Sequence, residues 1–167
     1  MSDPNLDLEF MALALEQAKI AQSINEIPVG CVIVDEQNQV ISTGYNQTIT
    51  THDPTAHAEM VALRKAGLVL ENYRLVNLRL YVTLEPCSMC ASAMIHARIK
   101  KVYFGAYDYK TGACGSALDF LNEPCHNHHV ESQGGILQEP CSAILSNFFT
   151  RRRLEKKQLA TKTLSTK

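Results

Sequence analysis

The sequence predicts an α/β protein: a three-layer α/β/α sandwich around a mixed sheet that opens with an antiparallel hairpin. Three observations carry that expectation. Two runs rich in valine and isoleucine, Pro28–Val34 and Val40–Tyr45, flank the turn-forming DEQNQ, which is the pattern of a β-hairpin. Short apolar runs then alternate with helical segments from Leu78 to Gly105. Parallel strands joined by crossover helices bury both sheet faces, so helices are needed on each side. Helical periodicity closes both ends of the chain.

Each element follows in order. Asp3-Pro4 reads as an N-cap followed by proline at the first helical position. Leu8, Met11, Leu15 and Ala18 recur at helical spacing, so a first helix extends to about Ile24. The hairpin comes next, then a polar loop from Asn46 to Pro54. A second helix starts near Thr55–His57 and continues to about Lys65, with Gly67 marking its end. Leu78–Thr83 is a short buried strand, Pro86 opens a helix reaching about Ala97, and Lys101–Gly105 is another strand. A glycine-containing loop leads to a short turn at Leu118–Leu121, and Cys125–Gly135 is irregular with room for a short strand. Glu139 to about Lys157 forms the last helix, with Ile144, Leu145, Phe148 and Phe149 as its apolar stripe. One domain over residues 1–157 and a basic, flexible tail over 158–167 are expected.

Composition sets limits on function. Apolar content of 46% and charged content of 20% are those of an ordinary globular protein. No window approaches the ~18 consecutive apolar residues of a membrane helix. MSDPNLDLEF carries acids where a secretion signal carries bases. No membrane association and a cytoplasmic location are therefore expected, and there six cysteines serve as thiols or metal ligands rather than disulfides. The net charge of −1 conceals an asymmetry. Residues 151–167 hold seven Lys/Arg and one Glu, a net +6, which leaves −7 on the remainder. Such a tail suits a polyanion, and equally a solvated helix end whose cations complement the dipole.

The chemistry-bearing residues fall in two stretches. THDPTAHAEMVAL places His57 and Glu59 before an apolar run, and TLEPCSMCASAM places Cys87 and Cys90 three apart. Three residues turn a helix by about 300°, so both sulfurs share one face. Pro86 suits a first helical turn, and a helix N-terminus favours thiolates, so both thiols are expected to ionise readily. A CxxC alone can be a redox pair, part of a closed structural zinc knuckle, or part of a catalytic zinc site. The catalytic site needs three protein ligands and one open position. His57 supplies the third ligand, and Glu59 is the residue to move protons at the fourth. Residues two apart on a helix point about 200° apart, so His57 and Glu59 cannot both face a metal across a helix side. They can both face one at its end. The metal is therefore expected between two helix N-termini, at the strand ends where open α/β sheets bind ligands.

HAE with PCxxC resembles the pattern of the zinc-dependent cytidine/deoxycytidylate deaminase superfamily, H-x-E followed by P-C-x-x-C. The stretches IPVG, GYN, HDPTAHAE, NYRL, YVTLEPCSMC and FGAYDYKTG are similar to the tRNA-acting branch of that superfamily. The resemblance spans the first helix to about Phe149. It implies a cytidine-deaminase-type sandwich, one zinc per chain on His57, Cys87 and Cys90, and Glu59 as proton shuttle. It implies hydrolytic deamination of adenosine to inosine at the anticodon wobble position, on a tRNA anticodon stem-loop, by a homodimer. It assigns substrate contacts to Asn46, Val29, Pro86, Asp108, Lys110, Phe149 and Arg151. A free nucleobase, nucleoside or nucleotide deaminase of the cytidine or guanine type is the alternative, and a non-enzymatic zinc-stabilised RNA-binding module is a third reading.

Plainer readings stand beside these. Asn46 ends a strand and suits a turn. Phe148 and Phe149 at helical spacing suit a core, and only Phe149, beside Arg151–Arg153, suits base stacking. Cys125, His126, His128 and His129 could form a second metal cluster, but the segment carries no cysteine pair, and histidines in polar loops are usually solvated. Cys31, Cys114 and Cys141 read as small buried residues, and His52 and His96 as structural. TGACGS lacks a phosphate-loop lysine.

Overall fold

A computed structural model describes residues 4–165, with side chains described to residue 161. Helix α1 (Pro4–Ser23) leads into the hairpin of β1 (Gly30–Val34) and β2 (Val40–Tyr45). Helix α2 (Ala58–Leu70), strand β3 (Arg79–Leu84), helix α3 (Ser88–Ala97) and strand β4 (Lys101–Ala106) follow. A 3-10 turn (Phe120–Asn122), a short strand β5 (Glu131–Gln133) and helix α4 (Gln138–Ser165) complete the chain. The five strands form one sheet in the order β2-β1-β3-β4-β5. β1 is antiparallel to both β2 and β3, while β3–β4 and β4–β5 are parallel. This is the expected mixed sheet, and α3 is the crossover between its central parallel strands.

Alternation along the strands makes the three layers. Cys31, Ile33, Leu80, Val82, Val102 and Phe104 face α2 and α3, packing on Ala62, Ala91 and Met94. Val32, Val34, Tyr81 and Tyr103 face the other way, against Phe10 and Met11 of α1 and Cys141 of α4. The Tyr81 and Tyr103 rings stack there with centroids 4.6 Å apart. The Tyr81 hydroxyl donates to the buried Asp7 carboxylate at 2.6 Å.

Glycine and alanine bring the helices onto the sheet. A Cβ at Gly30 would collide with the Ala14 carbonyl oxygen and the Ala18 nitrogen, and one at Gly44 with the Ala58 carbonyl oxygen. Of the expected stripe of α1, Met11 and Ala18 are buried, Leu15 is half-buried and only Leu8 departs from it. Leu8 is exposed, and the buried face is Phe10, Met11, Ala14, Ala18 and Ala21 together with Asp7. Close approach to Gly30 selects alanine at positions 14 and 18, while Phe10 and Met11 fill the wider part of that face.

Three boundaries also differ. Helix α2 passes through Gly67 and ends at Glu71, in the left-handed conformation at φ 49°. The Glu71 and Asn72 N–H groups donate to Leu68 and Gly67 carbonyls there, a C-cap made without glycine. Helix α3 begins at Ser88, with Cys87 as its N-cap, so Pro86 precedes the helix. Helix α4 continues to Ser165. The predicted cap at Asp3 lies outside the described residues.

Candidate metal centre and cavity

One end of the sheet gathers every piece of the site. The register pairs Gly30 with Tyr45, Cys31 with Val82, and Leu84 with Ala106. Val29, Asn46, Glu85 and Tyr107 therefore leave the sheet at the same end. Helices α2 and α3 start from that end, and their N-cap residues are His57 and Cys87, both in extended conformation. Neither side chain makes a capping hydrogen bond. Both are turned instead toward each other.

His57 Nδ1 lies 3.7 Å from Cys87 Sγ and 3.6 Å from Cys90 Sγ. All three donor atoms fall within 4.8 Å of one another, the only such group of His, Cys, Asp or Glu among the described residues. Bond lengths of about 2.3 Å to sulfur and 2.0–2.1 Å to nitrogen, at a tetrahedral angle, separate N and S by about 3.6 Å. One imidazole and two thiols at that spacing fit a zinc ion and leave its fourth position open. The three donor atoms converge at the starts of both helices, the placement that the helical angle between His57 and Glu59 requires for a metal.

The ionisation of the pair corrects one expectation. Donation from the Cys90 thiol holds Cys87 far below the usual thiol range, at about 4. Cys90 is pushed up, because it gives that hydrogen bond and because it is buried near Glu59. The two thiols are thus shifted in opposite directions, and Cys87 is the one that ionises readily. The hydrogen bond to Cys87 raises His57. Glu59 is 4% exposed, and burial lifts its carboxyl to about 7. A carboxyl there can hold or release a proton near neutrality.

Above this floor opens a cavity of 560 Å³ lined by Val29, Asn46, His57, Glu59, Cys87, Asp108, Lys110 and Phe149, among others. Asn46 is buried, and its Oδ1 accepts from the Ala58 N–H at 2.9 Å. It supplies the cap of α2 that His57 does not, and so aims the helix end. Asp108 Oδ1 accepts from the Lys110 and Thr111 N–H groups, and Oδ2 from the Thr111 hydroxyl. Partial burial pushes that carboxyl up, but these hydrogen bonds outweigh it and leave it below the ordinary range. Phe149 is 42% exposed at the rim, whereas Phe148 is in the core. Arg151 lies outside the lining: it reaches Asn25 Oδ1 at 3.3 Å and pairs with Glu155 at 3.7 Å. The Pro86 carbonyl accepts from Ala113 N–H at 2.8 Å, tying the cysteine turn to the loop after β4.

Sequence reasoning missed Glu85. It is 2% exposed and accepts from the N–H groups of Asp108, Cys114 and Ser116, at 3.0, 3.0 and 3.1 Å, and from the Ser116 hydroxyl. One buried carboxylate thus holds the loop from 108 to 116 beside the metal ligands. The only signal was an acid at the end of the apolar run LYVTL. Tyr107 and Tyr109, also in the lining, passed unassigned. Cys125, His126, His128 and His129 do not gather into a metal-ligand group among the described residues: His126 Nε2 donates to the Phe120 carbonyl at 2.8 Å, and His128 Nε2 to the Ile99 carbonyl at 2.7 Å. These histidines fasten a loop rather than standing in solvent.

A His-Cys-Cys floor with a buried glutamate beside it, at the strand ends of this sheet, defines a zinc-dependent hydrolase of the deaminase class. The chain belongs to the cytidine and deoxycytidylate deaminase family, whose zinc-binding-region model matches residues 4–106. It is 52% identical over 151 residues to the tRNA-specific adenosine deaminase of Haemophilus influenzae, covering 90% of this chain and 87% of that one. It is 41% identical to that of Bacillus subtilis, over 93% and 96% of the two chains. A solved structure from work on A-to-I editing by tRNA:A34 deaminases superposes with a TM-score of 0.79 at 41% identity, over 82% of this chain and 99% of that one. Guanine deaminase from Nitrosomonas europaea, at 19% identity and a TM-score of 0.74 over 84% and 83% of the chains, shares the fold. No helix among the described residues is long and apolar enough to cross a membrane.

Proposed function

We propose that this chain converts adenosine to inosine at the wobble position of a tRNA anticodon by hydrolytic deamination. The observation that carries the reading is the His57–Cys87–Cys90 triangle with the buried Glu59 beside it, on the floor of a cavity open at its top to Lys110 and Phe149. The likeness to tRNA-specific adenosine deaminases over nine-tenths of the chain supports the choice of substrate.

Zinc held by His57, Cys87 and Cys90 supplies a Lewis acid that brings the pKa of water close to ~7. With that metal bound, Glu59 would take one proton from the water and pass it to the ring nitrogen beside C6 as the oxygen adds at C6; it would then take the second proton, from the new C6 hydroxyl, and pass it to the amine as the C6–N bond breaks, so that ammonia leaves and the C6 carbonyl of inosine remains. A carboxyl raised to about 7 is matched to both directions of transfer. Val29 packs against the base, and the Asn46 amide nitrogen, its oxygen committed to Ala58, donates to it. Asp108, Lys110 and Phe149, which line the cavity, flank the path of the anticodon loop; Pro86 holds the cysteine turn below it, and Arg151, outside the lining, is a contact the loop would meet beyond the cavity. That loop is single-stranded, so splaying out one base costs less than the few kcal/mol needed in a duplex.

A homodimer goes with this reading. Between α2 and α3 lies a mostly apolar hollow lined by Met60, Leu63, Tyr73, Leu75, Ala93 and Ala97, with Leu68 and Tyr73 exposed beside it. A patch of that kind suits a partner surface, and two copies related by a twofold axis would cover it. The site of action is the cytoplasm, where the tRNA is.

The test is zinc-loaded protein incubated with an anticodon stem-loop and assayed for inosine. Turnover of free cytidine or guanine with none of the RNA would favour the alternative deaminase and sink this reading.

A further inference from the structure

The loop after β4 carries two aromatic rings that the reaction leaves unused. Tyr107 and Tyr109 flank Asp108 where the chain leaves β4 and enters a turn. Their rings are near parallel, 16° apart in plane, with centroids separated by 6.2 Å. Tyr107 is anchored inward, its ring edge-on to the buried Phe104 at 5.1 Å and 87°. Tyr109 is 78% exposed, and both rings line the cavity together with Lys110 and Phe149.

A large exposed aromatic usually moves freely, but this segment is held. Between the two tyrosines, Asp108 closes a turn onto Lys110 and Thr111, and its own N–H is bound by the buried Glu85 at 3.0 Å. The rings are thus presented on a fixed backbone and need little ordering when a ligand arrives, which favours binding. A flat aromatic face beside a lysine, at the mouth of a cavity sized for a base, matches the elements of single-stranded nucleic-acid sites: a π-face for the base and a cation for the phosphate.

We propose that Tyr107 and Tyr109 form a preformed stacking platform for an unpaired base adjacent to the target adenosine, with that base lying on the outer face of Tyr109. The platform rests on the reading of the substrate as anticodon-loop RNA. It is a positioning device: it fixes the neighbouring nucleotide and touches no reacting atom.

The experiment uses the zinc-loaded full chain and two anticodon stem-loops, with 2-aminopurine immediately 5′ or 3′ of the target adenosine. The expected result is protein-dependent quenching of at least one probe. Tyr109→Phe keeps the quench and Tyr109→Ala abolishes it. Tyr109→Ala also raises KM roughly 5- to 100-fold, the range for removing a stacking aromatic, with a much smaller change in kcat. Zinc content and melting temperature report that the variants are folded. Inosine formation by the wild type without quenching at either position, or a Tyr109→Ala protein that quenches and binds like wild type, overturns the platform alone. Absence of inosine from the wild type overturns instead the substrate reading on which it rests.

Discussion

The floor and the rim of the cavity are built by opposite means. At the floor, His57, Cys87, Cys90 and Glu59 sit at two helix starts wedged against the sheet, and Cys90 and Glu59 are buried. Each is fixed by backbone that the core itself holds in place. At the rim, Lys110 and Tyr109 ride a loop, and Phe149 lies on an exposed turn of α4. The rim is steadied from below, by Glu85 gripping the loop and by Asp108 closing its turn. A floor of that kind suits chemistry, which tolerates little displacement. A rim of exposed rings and cations suits a large substrate, where each contact adds a modest increment.

This contrast predicts that floor substitutions act on turnover and rim substitutions on affinity. The largest effect is expected at Glu59. Glu59→Gln preserves size and should leave one zinc per chain by metal analysis, while kcat falls about 10²- to 10⁴-fold, the range for losing a general acid–base. Full turnover in that variant would remove Glu59 from proton transfer.

Asn46 joins floor to rim, and two substitutions separate its duties. Asn46→Asp keeps an oxygen to accept from Ala58 N–H but loses the amide donor. It should retain zinc and stability and lower kcat/KM by about 5- to 100-fold, corresponding to roughly 1–3 kcal/mol for a buried acceptor on the base left without its donor. Asn46→Ala should show that loss and, in addition, about 1 kcal/mol of destabilisation from the missing cap, read by denaturant unfolding. Equal stability of the two variants would mean that the cap contributes nothing.

The same contrast explains what could be read in the sequence. Metal ligation restricts residue type and spacing, so His57, Cys87 and Cys90 stood out, and the helical angle between His57 and Glu59 located the metal at helix ends. The hairpin and the crossover were legible because strand alternation and helical periodicity are local. Glu85 was not legible, because its donors lie 23–31 residues downstream, at no regular spacing. The buried face of α1 was legible in part: Met11 and Ala18 were placed on it, but Ala14 was not, because Gly30, a residue on another element, decides where the helix must be small. His126 and His128 resembled ligands in sequence, and only the fold shows the carbonyls they bind.

Phe149 tests the rim directly. Phe149→Ala removes a side chain that is 42% exposed and should leave folding intact. KM for the stem-loop should rise about tenfold through lost stacking, with deamination of the bound RNA nearly unchanged in single-turnover kinetics. A fall in the single-turnover rate matching that at Glu59 would place Phe149 with the floor.

The smallest effect is expected at Lys110, and salt makes it readable. Each phosphate neutralised by a cation contributes about 0.7 to the slope of log K against log salt for a single strand. Lys110→Ala should therefore reduce that slope by somewhat less than one, weaken binding most at low salt, and converge with wild type at high salt. Arg151 provides the contrast. Its guanidinium is already shared between Asn25 and Glu155, so a phosphate must compete for it, and Arg151→Ala should change the slope less than Lys110→Ala does. A larger change at Arg151 would show that the helix end, rather than the loop, carries the electrostatic contact.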